Sequence, residues 1–106
     1  YVGSFKNNQY DGSGTLFFAN GSKYQGGFVQ GVFQGRGLYS SANGLKYQGE
    51  FKSGAYHGDG DLLYPDGHRY QGQFQSGLFH GKGVFTYPDG QQVECIYQED
   101  KIVQCL

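Results

Sequence analysis

A chain of 106 residues has room for one domain, but twenty glycines, ten tyrosines and nine phenylalanines lie far from ordinary globular usage and exclude a central core of Leu, Ile and Val. Eight Lys and Arg against nine Asp and Glu leave a formal charge of −1, which lacks the positive footprint that wraps nucleic acid. No apolar run reaches the ~18 residues of a membrane span, and no charged stretch followed by an apolar one opens the chain.

Tyr1, Tyr24, Tyr47 and Tyr70 stand 23 residues apart, and the chain begins at Tyr1 inside that register, as a trimmed or processed product would. The segments that follow read YVGSFKNNQYDGSG, YQGGFVQGVFQGRG, YQGEFKSGAYHGDG and YQGQFQSGLFHGKG, and each copy turns at Asn20-Gly21, Asn43-Gly44, Asp66-Gly67 or Asp89-Gly90. A fixed period of this size marks a stacked array. The copies are 1–23, 24–46, 47–69 and 70–92, and residues 93–106 form a degenerate fifth that serves as a C-terminal cap. The strict period and the dense aromatics set the chain apart from glycine-rich disordered sequences.

The first copy carries Asn8 where the others have Gly31, Gly54 and Gly77, and Asn is the next residue best able to adopt a left-handed turn. The third copy shows the unit most clearly. Tyr47, Gly49 and Phe51 alternate with Gln48 and Glu50, the period of a short strand with aromatics on one face. Lys52-Ser53-Gly54 reads as a tight hairpin loop, and Tyr56, Gly58, Gly60 and Leu62 as the returning strand. Glycines inside strands need a reason, and close approach of bare backbone to a neighbouring ring or a bulge supplies one. Pro65-Asp66-Gly67 then turns toward the next hairpin, so the expected sheet is all-β, antiparallel and elongated.

An isolated hairpin is marginal, so each is stable only beside its neighbours. In the last copy Val93, Cys95 and Tyr97 keep the alternation, while Glu94, Glu99, Asp100 and Lys101 suit a cap that blunts an open edge. Cys95 and Cys105 fall on facing strands there. One register brings them within disulfide reach, and a slip of one residue puts them on opposite faces, leaving two small, partly buried apolar residues.

The pattern Tyr-x-Gly-x-Phe-x-x-Gly, then Gly-x-Gly, then Asp/Asn-Gly, resembles the MORN repeat (membrane occupation and recognition nexus) over nearly the whole chain. Family members often carry Trp where this chain has Phe5, Phe28, Phe51 and Phe74. The resemblance implies a twisted, curved row of antiparallel hairpins and a role in scaffolding and protein interaction, with phospholipid affinity as a disputed second property. Catalysis in such proteins belongs to other domains.

Equivalent residues of successive hairpins should recur every ~9–10 Å, twice the strand spacing. This ruler weakens a metal site at His57 and His80, whose backbones would stand too far apart for one ion without a third ligand. Lys23, Lys46 and Arg69 form a basic column suited to lipid headgroups or an acidic partner, with an ordinary solvated face as the plainer reading. The aromatic columns Tyr24/Tyr47/Tyr70 and Phe33/Tyr56/Phe79 are the strongest feature, and a column left open becomes a groove for a protein partner or for a second copy of the chain. Gly77-Leu78-Phe79-His80-Gly81-Lys82-Gly83 lacks the spacing and the hydroxyl residue of a phosphate loop, and Asn20-Gly21-Ser22 occupies a turn column. The expectation is a non-catalytic module with no cofactor, no metal, no nucleic acid and no small-molecule substrate.

Overall fold

The computed structural model describes residues 1–106 as ten strands and no helix. These are β1 (Val2–Lys6), β2 (Gln9–Phe17), β3 (Lys23–Val29), β4 (Val32–Ser40), β5 (Lys46–Lys52), β6 (Ala55–Leu63), β7 (Arg69–Gln75), β8 (Leu78–Thr86), β9 (Gln92–Gln98) and β10 (Lys101–Cys105). They form one antiparallel sheet in sequence order, so the chain is an open row of hairpins. The molecule measures 48 × 24 × 16 Å. Strand spacing of ~4.8 Å accounts for the long axis, which the strands therefore cross.

Each hairpin closes through two left-handed residues: Asn7-Asn8, Gln30-Gly31, Ser53-Gly54, Ser76-Gly77 and Glu99-Asp100. Two positive φ values match the twist of the flanking strands, and glycine meets the second requirement without strain. Gln30, Ser53 and Ser76, with φ near 51°, sit in a conformation that costs a residue with a Cβ roughly 1–2 kcal/mol. A bond to the neighbouring hairpin offsets that cost. The N–H of Gly31 donates to the Tyr10 carbonyl (2.8 Å), Gly54 to Phe33 (3.0 Å), Gly77 to Tyr56 (2.9 Å) and Asp100 to Phe79 (2.9 Å).

The connections between hairpins are Asx turns. Asn20 Oδ1 accepts from the Ser22 N–H (2.9 Å), Asn43 from Leu45 (3.3 Å), Asp66 from His68 (3.1 Å) and Asp89 from Gln91 (3.0 Å). Only the side-chain oxygen is used, which is why Asn and Asp interchange in this column.

Within each hairpin the register places Gly26 opposite Gly37, Gly49 opposite Gly60 and Gly72 opposite Gly83. A tyrosine ring lies over every such pair. A Cβ on Gly60 would come 2.5 Å from the Tyr47 ring, and one on Gly83 would likewise run into that of Tyr70. Beyond the pair the register shifts, with Phe28 opposite Phe33, Phe51 opposite Tyr56 and Phe74 opposite Phe79. The bulges carry Gly35, Gly58 and Gly81 at φ of 79°, 65° and 71°. Both reasons for strand glycines thus operate, at different positions.

The last hairpin replaces this device. Val93 stands in the tyrosine column, and Cys95 lies opposite Cys105 where earlier hairpins have their glycine pair. The two cysteines are disulfide-bonded, with Cys95 buried and Cys105 exposed. A covalent link occupies the place of ring over backbone. The final edge is not blunted as the charge pattern suggests, because Ile102 and Val103 are each 62% exposed on it. Glu99 and Asp100 are consumed by the turn, and Glu94 faces Lys82 at 3.3 Å on the preceding strand.

Candidate partner-binding face

Period-two alternation puts Tyr24, Gly26 and Phe28 of β3 on the same face as Phe33, Gly37 and Tyr39 of β4. The same set recurs in the next two hairpins. Tyr24 stacks on Phe33 at 3.8 Å between ring centroids, Tyr47 on Tyr56 at 3.9 Å and Tyr70 on Phe79 at 4.0 Å. Phenylalanines stand edge-on between these stacks: Phe51 is 5.1 Å from both Tyr24 and Tyr47. Such offset and edge contacts each contribute about 0.5–1.5 kcal/mol beyond burial.

The tyrosine hydroxyls turn back to their own strand. Tyr24 donates to the Gly27 carbonyl (2.8 Å), Tyr47 to Glu50 (2.7 Å) and Tyr70 to Gln73 (2.9 Å). All three tyrosines are 0% exposed. This corrects their assignment to a partner surface, because the strand glycines let the rings sink flat onto the backbone and the second aromatic covers them. Phe33, Tyr56 and Phe79 are the covering layer, half-buried with one side open. Phe33, Tyr56, Tyr39, Phe51 and Ala55 line a shallow groove of about 360 Å³. Tyr39, Phe51 and Ala55 are absent from the sequence-derived set. Tyr39 is visible there as the column Leu16/Tyr39/Leu62/Phe85, whereas Ala55 opens β6 with no side-chain signal.

Burial makes the phenolate form costly, so desolvation pushes Tyr24 and Tyr70 up from 10.0 to about 12, and Tyr47 higher still. A raised folded-state value stabilises the fold fully below the unfolded-state value and is lost as pH climbs through the folded one. Stability should therefore hold up to about pH 10 and fall steeply toward pH 12. Absorbance near 295 nm checks this: Tyr24, Tyr47 and Tyr70 should ionise only together with unfolding, and ionisation of every tyrosine near pH 10 with the fold intact would contradict their burial.

Lys23, Lys46 and Arg69 project from the opposite face, one residue before each buried tyrosine. Their column is not uniform. Asp61 receives the Arg69 guanidinium through Nε (2.9 Å) and Nη2 (2.5 Å), which leaves Lys23 and Lys46 without a salt-bridge partner. Leu38 and Leu63 border Lys46 and Arg69, so the polar face is mixed. His57 and His80 belong to this face too, and no group of three or more His, Cys, Asp or Glu converges anywhere.

The MORN repeat model matches the chain four times, at residues 1–23, 24–46, 47–69 and 70–92. Each match spans one hairpin and its connecting turn. No curated protein matches it.

Proposed function

Because the chain belongs to the MORN repeat family, a module of interaction and membrane-associated proteins, we propose that it is a non-catalytic scaffold whose open aromatic layer receives a segment of a protein partner. The carrying observation is the half-buried row Phe33, Tyr56 and Phe79, of which Phe33 and Tyr56, with Tyr39, line a groove across two successive hairpins. Rigid rings with few rotors give contact area at small entropic loss. The glycine-backed stacks beneath hold them in place.

The phospholipid alternative draws on Lys23, Lys46 and Arg69, and the Asp61 contact weakens it by engaging one cation of three. A partner captured with the intact chain should lose at least about tenfold in affinity for Tyr39→Glu, which places a charge in the groove, and little for Lys23→Glu with Lys46→Glu on the other face. Binding should persist at high salt. The reverse ranking, together with flotation on anionic but not neutral vesicles, would overturn the groove and support the lipid reading.

A further inference from the structure

Every interior junction of the array is built from two halves. The phenylalanine of one hairpin enters between its own tyrosine stack and the preceding one: Phe28 is 5.1 Å from Tyr24 and 5.2 Å from Tyr1, and Phe74 is 5.0 Å from Tyr70 and 5.4 Å from Tyr47. Phe28, Phe51 and Phe74 keep only 2%, 4% and 3% exposure as a result. The turn N–H of the same hairpin bonds the carbonyl of the preceding second aromatic.

At β1 the donating half, phenylalanine and turn N–H, is present and unmatched. The only rings beside Phe5 are Tyr1 and Tyr10 of its own hairpin, and it is 61% exposed, with Val2 70% exposed on the same strand. The Asn8 N–H, equivalent to those of Gly31, Gly54 and Gly77, finds no carbonyl beyond its own hairpin. At β10 the receiving half is equally unmatched. Ile102 occupies the column of Phe33, Tyr56 and Phe79, but no following phenylalanine covers it as Phe51 covers Phe33 at 5.7 Å. Lys6 and Lys101 are the only charges on these two edge strands, and neither strand holds a proline.

We propose that the two halves meet between copies of the chain. The β10 edge of one copy docks antiparallel on the β1 edge of the next, Ile102 against Phe5, with the Ile102 carbonyl accepting from the Asn8 N–H. The contact repeats the step that joins hairpins inside the molecule. It is heterologous, so it does not close at two copies, and assembly runs head to tail in increments of about 48 Å. The surface is the pair of sheet edges and is independent of the groove.

Sedimentation equilibrium of the full chain over rising concentration tests this. Wild type should grow past the dimer. Phe5→Lys alone and Ile102→Lys alone should each stay monomeric at concentrations about tenfold higher, since a buried lysine opposes edge pairing. An equal mixture of the two should stop at a one-to-one dimer, because each variant retains the edge the other has lost. Val2→Lys is the second β1 variant if Phe5→Lys loosens that strand. A monomeric wild type, a single edge variant that assembles like wild type, or a mixture of folded variants that forms no dimer would each overturn the proposal.

Discussion

Tyr47→Ala should lower the unfolding free energy by about 3–5 kcal/mol, the range for removing a large aromatic from a packed interior. The ring is 0% exposed, stacks on Tyr56 at 3.9 Å, meets Phe51 and Phe74 edge-on at 5.1 and 5.4 Å, and bonds the Glu50 carbonyl at 2.7 Å. Its floor is Gly49 and Gly60, which have no side chains to move into the space. The cavity therefore stays open. Because Phe74 belongs to the next hairpin, the loss also breaks the coupling between repeats, and thermal unfolding should separate into two transitions. Tyr47→Phe removes only the hydroxyl and should cost about 1 kcal/mol. Tyr1→Ala, on the edge hairpin and half-buried, should cost well under half of the Tyr47→Ala value. Urea unfolding of the three variants checks the order, and equal losses at Tyr1 and Tyr47 would contradict the nearest-neighbour picture.

Gly49→Ala should cost about 3 kcal/mol or more, for the addition of a single methyl group. A Cβ there would lie 2.6 Å from the Asp59 carbonyl oxygen, 2.6 Å from the Gly60 Cα and 2.7 Å from the Tyr47 hydroxyl. Two of the three are backbone on the paired strand, so relief requires separating β5 from β6. Gly54→Ala is the control. Its Cβ would meet only Val32 Cγ1 at 3.6 Å, and the penalty is confined to the left-handed backbone at φ 85°, about 1–2 kcal/mol. The two glycines lie five positions apart and should fail for different reasons. A larger loss at Gly54 than at Gly49 by denaturant unfolding would show that turn geometry rather than ring seating limits the sheet.

The 23-residue spacing of Tyr24, Tyr47 and Tyr70 makes the hairpin row legible in the sequence, because each local signal repeats and agrees with the next. Glycine under a ring is legible for the same reason: Tyr-x-Gly facing Gly-x-Gly leaves a strip of bare backbone in every copy, one ring's length from a tyrosine. The depth of each aromatic is not. Alternation assigns Tyr47 and Tyr56 to one face but does not say which ring lies underneath, and that order is decided by the bare Gly49–Gly60 pair, which admits only the tyrosine of its own strand. Arg69 and Asp61 are eight residues apart on neighbouring strands, so their contact depends on register. The sequence favours Cys95 and Cys105 as two separate, partly buried apolar residues, and the structure corrects this: a bulge of one residue between Ile102 and Gln104 sets the register that pairs them.

Strands that cross the long axis give the molecule an unusual response to tension. Pulled between Tyr1 and Leu106, the force runs along the interstrand hydrogen bonds, and the edge strands peel so that bonds break one after another instead of shearing together. Resistance at any moment is that of a single strand, and each hairpin surrendered releases 23 residues, roughly 75–80 Å of extended chain. Peeling from β10 is different, because the Cys95–Cys105 bond keeps residues 95–105 as a closed loop that force cannot extend. The array is compliant along its length, with one end that gives way in full steps and one end that holds its last turn.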